Sequence, residues 1–371
     1  MLQWERGTVT GERPSWRGVA RLEVELEADG DVVSALAYTE LTGAPGRGER
    51  VLVNTNALRR GLGTGGDALL VARLDVLPGT EAPSGHMVKA RYTPMQTMVD
   101  AIDDPDGEHY EVIREAHDVD GMPVVVADLH SSLPAIVAGI RAERHGARIA
   151  YVHTDGAALP AVYSRTTARL RETGLLTSVI SAGQSFGGDL EAVTVHSALL
   201  GAKHVVDADV AVVIQGPGNL GTGTGWGFSG IEAAESVHAA AALGGAPVAT
   251  LRVSNADPRD RHRGLSHHSA TTYGQAALAP VRLPVLSRND SRYSPFHASV
   301  REQVKTSIVE PARARGTEHL LTEVDAKGLR DALEDIPVRL STMGRSLGED
   351  PEAFRYAALA GRCAATLAAR R

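Results

Sequence analysis

The chain has 371 residues, 43% of them hydrophobic and 22% charged, a composition typical of a globular protein with two or three domains. Its formal net charge of -7 at pH 7 argues against a nucleic-acid partner, because nucleic-acid-binding domains are usually basic. There is no apolar run of about 18 residues and no apolar segment near the N-terminus, so we expect neither a membrane span nor a signal peptide. The one cysteine, Cys363, cannot form an intrachain disulfide and favours a reducing, cytoplasmic location.

Residues 1–93 have the pattern of a small β-barrel or sandwich. Apolar Leu22, Val24 and Leu26 alternate with charged residues, which predicts a strand with one buried face. The Asp-Gly pair at residues 29 and 30 predicts a hairpin turn. We interpret the glycines of residues 61–66 as a tight connection between two strands. Further short strands are predicted at residues 32–38, 50–54, 68–74 and 86–92.

Strand and helix patterns alternate from residue 122 to about residue 290, which predicts a mainly parallel sheet with helices on both faces. Strands are predicted at residues 124–127, 148–152, 178–181, 210–214, 248–253 and 281–286. The fold class is therefore α/β, with residues 122–290 as the ligand-binding domain. We expect the polar residues 94–121 to be a linker or surface excursion, and residues 291–371 to form a helical cap with one strand at 320–324.

Helix boundaries are predicted from capping residues. Asp189 is expected to cap a helix that runs to residue 201. Ser229 and Glu232, three residues apart, are expected to form a capping box for the helix that ends near residue 243. A helix is also predicted over residues 161–171, and a final helix opens at Asp350.

Polar, glycine and histidine clusters follow five consecutive predicted strands. In parallel α/β sheets, ligands bind beyond the carboxyl ends of the strands, so these clusters predict one shared pocket. The candidate residues at four of the strand ends are Asp128, His130, His153, Asp155, Gly187, Gly188, Asp189, Asp257, Arg259, Arg261, His262, Arg263, His267 and His268.

A glycine-rich loop at residues 215–230 follows the other strand. The predicted helix begins too late in it for a dinucleotide-binding site, and no Gly-Lys-Ser/Thr sequence is present for a P-loop. Backbone N–H groups and two threonine hydroxyls could still hold an anion near the helix N-terminus. The candidate ligand-binding residues of this loop are Gly216, Gly218, Gly221, Thr222, Gly223, Thr224 and Gly225.

The residue types suit three kinds of chemistry. Arg259, Arg261 and Arg263 match phosphate or carboxylate, while the histidines can transfer protons with aspartates orienting them. Metal binding is the alternative, since nitrogen and oxygen ligands suit Zn, Mn or Fe. The candidate ligands are His262, His267 and His268 together with Asp128, His130, His153 or Asp155. A nucleophilic serine is a third option at Ser131, Ser132 or Ser185, the last lying in a G-x-S-x-G sequence whose predicted helix begins late for a hydrolase elbow.

These segments resemble those of a bacterial family, common in actinobacteria and firmicutes, that is described only as a domain of unknown function. The resemblance extends over the whole chain and implies no activity and no cofactor. The similar segments are residues 128–131, 153–157, 186–192, 216–218, 221–224, 261–268 and 341–345.

Three functional hypotheses therefore stay open. The first is an enzyme that acts on a small anionic substrate, with phosphorylated compounds among the candidates. The second is a metal-dependent hydrolase, and the third is a non-catalytic sensor or small-ligand-binding protein. No motif identifies a cofactor, and the sequence leaves a homodimer open.

Overall fold

A computed structural model describes residues 2–62, 65–77, 79 and 85–369. An N-terminal closed β-barrel is followed by an eight-stranded parallel sheet with helices and by a long C-terminal helix. This confirms the predicted α/β fold class and selects the barrel over the sandwich. Of the helices in the described residues, none combines the length and hydropathy that a membrane span requires.

The barrel has five strands, whose bounds are β1 Trp4–Trp16, β2 Val19–Leu26, β3 Val32–Tyr38, β4 Arg50–Asn54 and β5 Ala68–Arg73. It closes in the order β1-β2-β3-β5-β4. The inward side chains of β2 are at most 2% exposed, as the alternation predicted. The sequence did not predict β1, whose glycines, proline and two register shifts obscure its alternation.

The other N-terminal predictions are met in part. Helices α1 Thr39–Thr42 and α2 Asn56–Arg59 connect the barrel strands. The strand predicted at residues 86–92 is shorter, because only β6 Met87–Lys89 pairs, with β7 Thr97–Val99. The connection predicted at residues 61–66 includes residues 63 and 64, which lie outside the described part of the chain.

The parallel sheet contains β8 Pro123–Ala127, β9 Ile149–Thr154, β10 Ser178–Ser181, β11 Leu190–Glu191, β12 Val210–Gln215, β13 Ala246–Ala249, β16 Arg282–Leu286 and β17 Leu320–Val324. Two-residue ribbons join β14 Val253–Ser254 to β15 Gly264–Leu265, and β18 Ser341–Thr342 to β19 Arg345–Ser346. The strand order is β11-β10-β9-β12-β8-β13-β16-β17. The strand predicted at 248–253 forms, but its predicted end is wrong, because β13 already ends at Ala249 and Val253 belongs to β14.

The helices around the sheet are α3 Tyr110–Glu115, α4 Leu133–Glu143, α5 Arg165–Glu172, α6 Val195–His204, α7 Ala233–Ala242, α8 His267–Thr271, α9 Pro295–Val304, α10 Glu310–Ala314, α11 Leu329–Glu334 and α12 Pro351–Ala368. Short π-helical segments, Thr272–Ala276 and Lys305–Val309, follow α8 and α9. Helix α12 packs on α4 and on β8 and β16.

The strand order creates a topological switch point between β8 and β12, which are neighbours in the sheet. From β8 the chain continues through α4 to β9, which lies beyond β12 in the sheet. From β12 it continues through α7 to β13, which lies beyond β8 on the other side. Because such crossovers are right-handed, α4 and α7 cover opposite faces. A crevice therefore opens at the carboxyl ends of β8 and β12.

Two predicted helix starts are wrong. Helix α6 begins at Val195 because the Thr194 hydroxyl accepts the Ser197 N–H, whereas the Asp189 carboxylate accepts the N–H of Val179. The predicted box of Ser229 and Glu232 does not form, since a 3-10 turn precedes α7 and both side chains bond elsewhere.

Helices α4 and α12 cross at glycines. A Cβ atom added to Gly139 would collide with the carbonyl oxygen of Ala358, and one added to Gly361 would collide with that of Ile136. The two backbones are thus in direct contact, which fixes α12 and the segment leading into it against the sheet.

We predict that Gly139→Ala destabilises the fold by about 1–3 kcal/mol, because overpacking at the helix crossing outweighs the roughly 1 kcal/mol by which alanine favours a helix. Urea unfolding measures the difference in free energy. The control is Gly146→Ala, where an added Cβ meets no atom within 4 Å. Equal or higher stability of Gly139→Ala would contradict the close crossing.

Candidate functional site

A cavity of about 180 Å³ lies at the switch point, and we call it the arginine cavity. Three consecutive strands of the sheet, β12, β8 and β13, lead into the segments that form its walls. Its lining contains three arginines, two histidines and no acidic residue among the described residues. The lining residues are Leu129, Asn219, Leu220, Gly221, Gly223, Arg252, Arg259, Arg261, His262, His268 and Met343.

Arg252 lies at the base of the arginine cavity, in the turn between β13 and β14. Its Nη1 is 3.1 Å from Nδ1 of His268 and 4.0 Å from Oδ2 of Asp128. Because a guanidinium only donates, Nδ1 of His268 accepts and its proton sits on Nε2. Asp128 is 6% exposed, and none of the described residues forms a hydrogen bond with its Oδ2. Burial lowers the pKa of Arg252, and the Asp128 charge opposes this.

Arg259 is held in place by Asp257 through two hydrogen bonds of 2.9 and 2.8 Å. The same carboxylate accepts a bond of 3.0 Å from Arg345, which also donates to Asp350 at 2.9 Å. Both aspartates are at most 1% exposed, and the Arg259 bonds hold the pKa of Asp257 well below its usual range. Asp257 thus positions Arg259 rather than lining the cavity.

His262, His267 and His268 form a triad whose potential ligand nitrogens lie within 4.8 Å of one another. The His262 ring is fixed by a 2.7 Å bond between Nδ1 and the Ser266 hydroxyl. The His268 ring stacks on Phe228, with 3.9 Å between centroids. Burial, reinforced by neighbouring cationic groups, lowers the pKa of His262 to about 3 and that of His267 to about 4. The rings of His262 and His267 are therefore neutral near pH 7. In the described part of the chain, the buried Nε2 of His267 has no hydrogen-bond partner.

His130 and His153 belong to a second cluster, in which a chain of hydrogen bonds links four side chains. Ser164 Oγ is 2.7 Å from Nε2 of His130, whose Nδ1 is 3.2 Å from the Tyr151 hydroxyl. That hydroxyl is 3.1 Å from Nδ1 of His153, and Nε2 of His153 donates to the Ala158 carbonyl at 2.8 Å. Burial lowers the pKa of His130 to about 3 and that of His153 to about 4.

A third location holds the candidates that follow β10. The N–H groups of Gly187 and Gly188 donate to Glu191, and the Asp189 carboxylate binds Arg171 and Arg17 at 2.7 and 2.8 Å. These three candidates line a cavity of about 340 Å³ between the barrel and the sheet. Asp155 is also separate from the three histidines of the triad. Its Oδ2 accepts a hydrogen bond from the N–H of Gln184, in the loop after β10.

The glycine-rich loop contributes unevenly to the cavities. Gly221 and Gly223 line the arginine cavity, whereas Gly216 and Gly218 line a larger cavity beside His130. The hydroxyls of Thr222 and Thr224 bond each other at 3.0 Å and close the loop on itself. Gly225 and Arg263 are exposed and line neither cavity.

Sequence reasoning missed several residues of these sites. Arg252 was assigned to the predicted strand at 248–253 and was not considered as a site residue. Ser164 was assigned to the predicted helix at 161–171, although a serine directly before a helix is a capping signal. Glu232 binds the Thr154 hydroxyl, and burial raises the pKa of its carboxyl to about 7. The predicted nucleophile Ser185 is fully buried, and its hydroxyl donates to the Leu159 carbonyl at 2.7 Å.

We predict that stability falls as the pH is lowered from 6.5 to 4. His153 is 0% exposed and has a pKa of about 4 in the fold. The pKa of His153 in the unfolded chain is about 6.5, so between these values His153 binds more protons when unfolded, and its own contribution to the loss reaches roughly 3 kcal/mol. Urea unfolding at several pH values measures the slope, which His153→Gln should reduce. The exposed His145→Gln is the control, and equal slopes in both variants would refute this origin.

Comparisons with known proteins give a family but no activity. No curated protein matches the chain. Among solved structures, the D-arabinose dehydrogenase from Sulfolobus solfataricus aligns at 11% identity and a TM-score of 0.16, covering 89% of this chain and 85% of that one, a likeness too low to carry an argument. The family model described as "Protein of unknown function (DUF3866)" matches residues 34–361. Since the match covers most of the chain, the protein belongs to this family, in agreement with the resemblance of its sequence segments.

Proposed function

We propose that the protein is an enzyme that binds a small anionic substrate in the arginine cavity, and that phosphorylated compounds are the class this cavity fits best. One observation carries the proposal: three guanidinium groups converge on a volume of about 180 Å³ whose described lining has no carboxylate. Guanidinium groups bind phosphate oxygens through paired hydrogen bonds, and a cavity concentrates their field.

The surroundings of the arginines support a preformed site. Arg259 is locked by Asp257, and Arg252 by its contacts with His268 and Asp128, so that little ordering is required when an anion binds. Arg261 is exposed at the mouth. His262 and His268 are the groups of the lining that can exchange protons with a substrate.

We predict that inorganic phosphate or pyrophosphate raises the melting temperature of the wild-type protein. A ligand at 100 times its Kd stabilises a fold by about 2.7 kcal/mol. Arg261→Ala should lose most of this stabilisation, since it removes a cationic donor without disturbing a buried contact. The control is Arg263→Ala, two residues away and outside the cavity lining, with sodium chloride at matched ionic strength. An unchanged response of Arg261→Ala would overturn the anion site.

Turnover distinguishes the enzyme from the sensor. Stabilisation by phosphate together with hydrolysis or transfer across a panel of phosphate esters supports the enzyme. Tight binding without turnover of any compound in the panel supports the binding protein instead.

The second candidate is a metal-dependent hydrolase, which the histidine triad favours. Three imidazoles with nitrogens within 4.8 Å of one another fit Zn, Mn or Fe. Among the described residues, none forms a hydrogen bond with the nearby His267 Nε2 or Asp128 Oδ2. The ligand set differs from the predicted one, because His130, His153 and Asp155 lie elsewhere. A bound metal would supply an activated water, and the neighbouring arginines would hold the anionic substrate beside it.

Elemental analysis of the purified, untagged protein tests this second candidate. We predict about one equivalent of transition metal per chain, bound by the triad. His267→Ala should lose the metal and the exposed His196→Ala should keep it. Absence of metal, both as purified and after incubation with Zn²⁺, Mn²⁺ and Fe²⁺, would exclude the metal candidate and leave the anion site untouched.

A further inference from the structure

A second cavity, of about 530 Å³, lies between the barrel, the carboxyl ends of β8 and β12, and the ribbon of β18 and β19. We call it the barrel-side cavity. Its volume is in the range that binds small molecules. The lining includes His130, Ser164, Arg165, Thr166, Gly216 and Asn219.

The donors and acceptors of the hydrogen-bonded chain beside this cavity can be assigned in turn, starting from the Ala158 carbonyl. Nε2 of His153 donates to the Ala158 carbonyl, so its Nδ1 must accept, and the Tyr151 hydroxyl is the donor at 3.1 Å. The Ile214 carbonyl is a second acceptor for this proton, 3.2 Å from the Tyr151 oxygen. Donation to either acceptor uses the one hydroxyl proton of Tyr151. With its proton committed, the Tyr151 oxygen accepts the Nδ1–H of His130.

This assignment leaves Nε2 of His130 as an acceptor 2.7 Å from the hydroxyl of Ser164. Ser164 caps α5 by accepting the Thr167 N–H at 3.1 Å, which leaves its O–H free to donate to His130. Capping α5 requires the serine alone, and neither histidine nor Tyr151. The arrangement is that of a nucleophile, a base and a group that orients the base.

We propose that Ser164 is a nucleophile that attacks small carboxylic esters in the barrel-side cavity, with His130 as its general base. Ser164 Oγ forms a bond to the carbonyl carbon while its proton moves to Nε2 of His130. The bond to the ester oxygen then breaks, and His130 returns the proton to the departing alcohol. Water, deprotonated by His130, cleaves the acyl-serine bond and releases the acid, and His130 passes the proton back to Ser164.

The neighbouring groups suit this reaction. Arg165 and Thr166 are the first residues of α5, where N–H groups have no intrahelical partner, and both line the cavity. We assign these N–H groups to the oxyanion of the intermediate. Tyr151 and His153 are positioning residues, because they hold the His130 tautomer without touching the ester.

The proposed serine chemistry does not depend on the anion site. The two cavities share Leu129, Asn219 and Met343 in their linings but present different groups. Failure of phosphate binding would leave the serine chemistry standing, and failure of the serine chemistry would leave the anion site standing.

A fluorophosphonate probe, which phosphonylates nucleophilic serines with loss of fluoride, tests the proposal on the full chain. We expect one adduct per chain, mapped to Ser164 by peptide mass spectrometry. Ser164→Asn, which keeps a capping oxygen, should abolish labelling, and His130→Gln should slow it by roughly 10²-fold or more. Ser299→Ala, at an exposed serine of α9 outside both cavity linings, is the control and should label like the wild type.

Hydrolysis of p-nitrophenyl butyrate provides the second readout. Tyr151→Phe should lower kcat while leaving KM unchanged, as expected for a residue that acts through His130. Far-ultraviolet circular dichroism and the melting temperature establish that each variant is folded. No adduct on the folded wild-type protein, an adduct on a different serine, or undiminished labelling of folded Ser164→Asn would overturn the proposal.

Discussion

The adjacency of β8 and β12 is the constraint on which both candidate sites depend. All eight strands of the sheet are parallel, so every carboxyl end lies at one edge. The connections that leave β8 and β12 depart over opposite faces, so neither following segment covers the gap between the two strands. Leu129, which follows β8, and Asn219, which follows β12, line both cavities as a result.

A buried network of charges gives the crevice a rigid wall. Asp257 and Asp350 are nearly inaccessible to solvent, and Arg345 bonds both of them. Removing two carboxylates from water costs several kcal/mol each, which the arginines must offset. The network joins the segment after β13 to the start of α12, and its rigidity places Arg259 before any ligand arrives.

Much of this fold can be predicted from the pattern of apolar, polar and turn residues. The bounds of β3, β4, β10 and β17 follow from short apolar or alternating runs between turn residues, and the alternation of strands and helices predicts the parallel sheet. Strand β1 could not be predicted, because its residues do not alternate regularly between apolar and polar. Its position is set by pairing with β2 and β4, which closes the barrel.

The sequence predicted one shared pocket, whereas the candidate residues lie around three separate cavities. The reason is strand order, which a single sequence does not contain. Four strand spacings, or about 19 Å, separate β10 from β13, so Asp189 cannot share a ligand with Arg259. Residues after β12, β8 and β13, which are neighbours, do converge, and they form the arginine cavity.

The missed residues lie at element boundaries, where pattern reasoning is weakest and where these sites are built. Arg252 lies in the short segment between β13 and β14. Ser164 is the N-cap of α5 and has an extended backbone. Met343 occupies the turn between β18 and β19 with a φ of 48°, and its side chain lines both cavities. That ribbon is fixed by Arg345 on one side and by the 3.0 Å bond from Ser131 to Thr342 on the other. The buried charges near α12 therefore also shape the wall that the two cavities share, although none of them is close to Ser164 in sequence.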